Sequence, residues 1–149
     1  MALNVAAGTE TLQALSFGNI DATGDLIVGA QHHIYTVLST IVFCVSIGTA
    51  GDIYNLVILG HDHHGGADSN AANIKIAKVT AVVNQTFVFN DKFSFNGFGA
   101  AAYTEPMNSA ALQTPIAQQG GTLQRYQVIP AETDSPLDVH VTYIDQNNA

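Results

Sequence analysis

The residues with the most chemical potential lie within GHDHHGGAD, residues 60–68, where His61, Asp62, His63, His64 and Asp68 crowd together. In an extended segment His61 and His63, two positions apart, turn both imidazoles to one side, where a transition metal could take them together. Asp68 or the distant His33 would complete such a set. The same stretch is equally suited to a hydrated turn. Gly65-Gly66 and Asp68-Ser69-Asn70 supply turn chemistry, and apolar segments flank them on both sides. The turn is the favoured reading, so no metal ligand is assigned. Metal capture by His61, His63 and Asp68 stands as the alternative.

Elsewhere the reactive residue types are scattered. His32 and His33 are adjacent, so on a strand they face opposite ways and do not serve one site. His140 alternates against the apolar residues of its segment, which places it on a surface or an interface. No histidine has a nearby serine or cysteine arrangement that suggests a nucleophile and its base. The glutamates, Glu10, Glu105 and Glu132, form no pair suited to glycoside hydrolysis. Neither a P-loop nor a GxGxxG motif is present. Cys44 lies in IVFCVSI with no cationic neighbour to lower its pKa, so it reads as a small buried hydrophobe. As the single cysteine it also excludes an internal disulfide. No catalytic or cofactor-binding residue is assigned, and the chain reads as non-enzymatic.

The bulk composition points the same way. At 149 residues the chain suits one domain with a substantial core. Charged residues make up 11% of it, against roughly 25% in typical soluble domains. The permanent cations are Lys75, Lys78, Lys92 and Arg125, too few for a phosphate-binding stripe, so nucleic acid is not an expected partner. A net charge of −8 from scattered acids and so little charge overall suit a surface partly hidden in an assembly. The N-terminal segment MALNVAAGTETLQ lacks the positive and apolar regions of a signal peptide. Residues 34–51 carry no charge and approach the ~18 residues of a membrane span. They are nevertheless rich in threonine, serine and β-branched residues, and no basic anchors flank them. A buried strand is expected there, with no membrane partner.

Periodicity supplies the class. In residues 35–47, Tyr35, Val37, Ile41, Phe43, Val45 and Ile47 share one face of a long strand, with Ile41 and Phe43 central in the expected core. GTAGD then offers a turn, and IYNLVILG follows, so the two apolar segments read as an antiparallel hairpin. NIKIAKV (73–79), QTFVFN (85–90), KFSFNGF, LQRYQVIP (123–130) and LDVHVTYID (137–145) also alternate, with Asn90-Asp91 as a turn between QTFVFN and KFSFNGF. TLQALSF and DLIVG are shorter strands. The fold expected is an all-β antiparallel sandwich, jelly-roll-like, in one domain. Residues 1–24 are expected as an N-terminal arm with at most a short strand, and residues 25–149 as the sandwich, with a long inserted loop at about 104–122. Both weakly patterned segments are expected to reach neighbouring subunits or a shell beneath.

Taken in order, YTVLSTIVFCVSIGTAGDIYNLVILG, NIKIAKVTAVVNQTFVFNDKFSF and LDVHVTYID resemble the strands of small β-sandwich proteins of tailed-bacteriophage virions. The likeness covers roughly residues 32–100 and 124–145; the histidine-rich stretch and the 104–122 insertion depart from it. It implies a virion component, most simply a capsid decoration or cement protein, or else a tail, neck or fibre part. The implied partners are copies of itself, such as a trimer, and the major capsid protein; the implied location is the virion. The spacing of His61, His63 and Asp68 also resembles the metal motif of cupins. The chain departs from that motif at Asn55, where cupins carry glycine, and at Asp68, where they carry glutamate. No PxG stands at the required distance before His140. That resemblance implies a metal-binding protein instead of a structural one.

Overall fold

The computed structural model describes residues 8–62, 70–99 and 122–148. His63, His64, Asp68 and all but the last residue of the 104–122 insertion fall outside them, together with the expectations placed there. The described strands are β1 (Glu10–Ile20), β2 (Gly24–Val28), β3 (His33–Cys44), β4 (Ile53–Asp62), β5 (Asn70–Thr80), β6 (Thr86–Phe89), β7 (Phe93–Asn96), β8 (Arg125–Ile129) and β9 (Leu137–Asn147). Their pairings are antiparallel. They form two sheets, one ordered β1-β9-β3-β6 with β7 also on β3, the other β2-β8-β4-β5. The protein is an all-β antiparallel sandwich. Among the described residues no helix is long and apolar enough to cross a membrane, and the uncharged run beginning at Ile34 supplies β3.

The core follows from alternation. On β9, Leu137, Val139, Val141 and Tyr143 face inward while Asp138 is exposed and His140 half-buried on the other side. From the first sheet Val37, Val42 and Val141 join Leu56, Tyr126 and Val128 of the second in one apolar cluster. Burying a side chain of this size stabilises by about 1.5–3 kcal/mol relative to leaving it in water. Cys44, 2% exposed, belongs to that cluster, and burial followed by the nearby Asp52 carboxylate raises its thiol pKa.

Four sequence expectations need correction. The first is the hairpin. β3 and β4 do not pair; they belong to different sheets, and residues 45–52 cross between them. The crossing sets the apolar face of β3 opposite that of β4, which is how a sandwich buries both. Gly48 N donates to Ser135 Oγ at 3.1 Å, and Ser135 Oγ donates to Asp52 Oδ2 at 2.7 Å, fixing the path.

The second correction is the register of β3. Val37 opposes Tyr143, Ser39 opposes Thr142 and Thr40 opposes Val141, so Leu38 is an extra residue in the ladder. This bulge exchanges the two faces. Tyr35 and Val37 point inward before it; Thr40, Val42 and Cys44 point inward after it. Ile41 is therefore 36% exposed and Phe43 half-buried, both on the outer face. Ser39, the one break in the apolar alternation, marks the place. Val42→Ala is expected to cost about 2 kcal/mol, and Ile41→Ala less than about 1. Denaturant unfolding of both variants checks this; equal losses would restore the uninterrupted register.

The third correction is the turn at Asn90-Asp91. β6 and β7 run in one direction along the same edge of β3, β6 opposite Thr40–Phe43 and β7 opposite Ile34–Val37. Residues 90–92 are an interruption in one edge line, opposite the β3 bulge. Phe87, Phe89, Phe93 and Phe95 all reach the core side of that line.

The fourth is the arm. Residues 10–20 form β1, an integral strand whose register with β9 runs from Glu10↔Gln146 to Ile20↔Leu137. Its exposed half, with Leu12 among it, had disguised the buried or half-buried Gln13, Leu15 and Phe17 on the other face.

Candidate functional site

Two groupings bring reactive side chains together. The first lies at the end of the sandwich where β3 begins and β9 ends. The imidazole of His33, 13% exposed, donates from Nδ1 to Asp145 Oδ1 at 2.6 Å. Tyr35 stacks on His33 at 5.9 Å between ring centroids and on Phe95 at 5.3 Å. The Tyr35 hydroxyl accepts from Ala30 N at 3.0 Å, and Tyr143 donates to Gln13 Oε1 at 2.7 Å. Burial first, then the Asp145 carboxylate, raises the pKa of both phenols above the ordinary tyrosine value. Asp25 is engaged separately, accepting from Arg125 at 2.6 Å and from Gln127 at 2.7 Å.

Of these groups His33, Tyr35, Tyr143, Asp145 and Asp25 line a cavity of about 90 Å³. That is room for a few water molecules, against the several hundred Å³ of a typical ligand pocket. The backbone seals the same end. Gly29 N donates to Gln124 O at 2.8 Å and Gly97 N to His33 O at 2.7 Å. A Cβ on Gly97 would collide with the Ala30 backbone, so only glycine permits this approach. The cluster is thus an internal polar joint between β3 and β9, with its phenols held neutral. Asp145→Ala is expected to cost about 3 kcal/mol, because removing one member of a buried pair leaves the other without its partner. Thermal or denaturant unfolding measures it; a loss below about 0.5 kcal/mol would place the pair among surface contacts of little worth.

The second grouping lies on the outer face of the first sheet. Ser16 on β1 stands opposite His140 on β9, and their side chains share a hydrogen bond of 2.6 Å at Nδ1. This serine–histidine contact is absent from the sequence reading, since the partners are 124 residues apart and only strand pairing joins them. Asp138, on the same face, accepts from Asn19 N at 2.9 Å and gives the imidazole no orienting carboxylate there. An open depression of about 350 Å³ surrounds the pair, lined also by Phe17, Ile41, Phe43 and Val139. On the same face of the sheet Leu12 is 67% exposed and Val88 53%. The arrangement is a weakly polar, largely uncharged surface rather than a set of aligned catalytic groups.

Of the histidines in the histidine-rich stretch, His61 is the one within the described residues. It stands next to the end of the long β4, opposite Ala71, and its amide donates to Gln124 Oε1 at 3.0 Å. Its Nδ1 is buried, and no hydrogen bond to it is recorded. His33 turns to Asp145, and His140 lies on the other sheet facing outward. Among the described residues no group of three or more histidine, cysteine, aspartate or glutamate side chains is placed to hold a metal ion.

No protein-family model matches the chain, and no curated protein matches it. Among solved structures it is similar to a chain described with Bacillus endospore appendages, a family of disulfide-linked pili. The likeness spans 100% of both chains at 6% identity with a TM-score of 0.42, and is too slight to carry an argument.

Proposed function

We propose that the chain is a non-enzymatic structural subunit that works by assembly, and specifically a capsid decoration or cement protein of a bacteriophage head. The observation that carries the reading is the outer face of the first sheet. Ile41, Val88 and Leu12 are 36%, 53% and 67% exposed there, with Phe43 half-buried among them. Exposed apolar surface rimmed by uncharged polar groups marks a contact surface. His33 and Asp145, the pair with the least exposed charge-bearing side chains, are engaged in an internal joint, which supports a structural role. The virion assignment itself rests on the likeness of strand order and turns to small phage sandwich proteins.

Two measurements test it. Light scattering of the purified chain should give a mass above that of one copy. Mass spectrometry of virions purified from the producing host should find the chain in many copies per particle, and particles lacking it should lose their contents at lower temperature. A monomer at every concentration, absent from purified particles, overturns the reading. Particles that carry it in the tail would move it to a tail, neck or fibre position.

A further inference from the structure

A strand at the edge of a sheet is a template for another strand unless something obstructs it. Among the described strands, β2, β6 and β7 are short, with 5, 4 and 4 residues. β5 has 11 residues but carries Lys75 and Lys78, two of the chain's four permanent cations. Short length and edge lysines are both obstructions. β1 has neither. Its 11 residues, ETLQALSFGNI, contain no proline and no basic residue, and the one charge, Glu10, stands at its start.

The ladder shows which backbone groups of β1 have no strand partner among the described residues. Asn147 N donates to Thr9 O at 3.0 Å, whereas Asn148 N donates at 2.8 Å to His32 O, just before β3. Alternate residues of β9 therefore serve β1 and β3 in turn. On β1 the residues opposite Asp145, Tyr143 and Val141, which are Thr11, Gln13 and Leu15, turn their amides to β9. The amides and carbonyls of Leu12, Ala14 and Ser16 then point to the open edge.

We infer that β1 is an assembly edge that pairs antiparallel with β1 of a second copy, joining two first sheets into one across a two-fold axis. The occupant is a second copy because the strand complements itself. With Ala14 opposite Ala14, Leu12 lies opposite Ser16 and Glu10 opposite Gly18, so no like charges meet across the ladder. The pairing would also lengthen the outer apolar face, since Leu12 stands on the same side as Ile41. This inference rests on the structural reading above and names the surface that reading requires.

The test uses the full chain, with its mass followed by light scattering and its amide exchange by nuclear magnetic resonance. Raising the concentration should double the mass and slow exchange at Leu12, Ala14 and Ser16 by about ten-fold or more. Leu12→Lys combined with Ala14→Lys, both at exposed positions, should give a monomer with an unchanged circular dichroism spectrum. Ala14→Cys should form a disulfide with its counterpart under mild oxidation, while Lys78→Cys on β5 should not. An oligomer in which those three amides still exchange freely overturns the β1 edge and leaves assembly standing. A monomer at all concentrations overturns both.

Discussion

Raising the pH from 10 towards 12 is expected to unfold the protein. Burial pushes the Tyr54 and Tyr126 phenols from the ordinary value of 10.0 up to about 12, and it raises Tyr35 and Tyr143 as well. In the unfolded chain these groups lose their protons near the ordinary value, while the folded chain retains them. The unfolded state therefore binds fewer protons above pH 10, and stability falls as pH rises. The contribution is fully present below pH 10 and is lost through the folded values. Each such tyrosine removes about 1.4 kcal/mol per pH unit, so Tyr54 and Tyr126 alone remove about 5 kcal/mol across two units. That is comparable with the total stability of about 5–15 kcal/mol for an ordinary domain. Tyrosinate absorbance and far-ultraviolet circular dichroism, recorded together, should change in one cooperative step. Complete tyrosine ionisation near pH 10 with the sheet signal intact would show that these phenols are not held by the core.

Tyr126 is also the expected site of the largest single-residue loss. It is 0% exposed, its hydroxyl shares a hydrogen bond of 2.8 Å with Thr40, and Phe93 meets its ring edge-on at 5.2 Å. Tyr126→Ala should cost about 4 kcal/mol through lost transfer energy and the cavity left behind. Tyr126→Phe should cost about 1–2 kcal/mol, because the buried Thr40 hydroxyl is left without its partner. Adding Thr40→Val to Tyr126→Phe should recover much of that loss, since both polar groups are then gone and the shape is kept. Denaturant unfolding of the three variants decides the matter. A double variant no more stable than Tyr126→Phe would mean that packing, and not the orphaned hydroxyl, sets the cost.

Thr40 shows what was legible in the sequence and what was not. Period-two alternation at Val139, Val141 and Tyr143, and at Phe93 and Phe95, was enough to read an all-β sandwich and to place most strands. Alternation tells which residues share one face of one strand. It does not tell which strand lies beside it, so β3 and β4 looked like a hairpin and β1 like an arm. A single inserted residue, Leu38, then reversed the face carrying Ile41 and Phe43. The signal was present in Ser39, which breaks the apolar face at the place where that face reverses. The polar groupings were illegible for the same reason. His33 with Asp145 and Ser16 with His140 are joined across 112 and 124 residues, and no local spacing encodes either.

The position of β9 has a consequence for biosynthesis. It lies between β1 and β3, so the first sheet has no middle until Leu137–Asn147 has left the ribosome. Until then Tyr35, Val37 and Val42 lack the strand that pairs with theirs along its full length, and β1 has no neighbour in its own sheet. Closing such distant pairings is slow compared with closing local ones, and exposed strands invite pairing with other nascent chains while they wait. The first half of the protein is therefore synthesised before the first sheet can close.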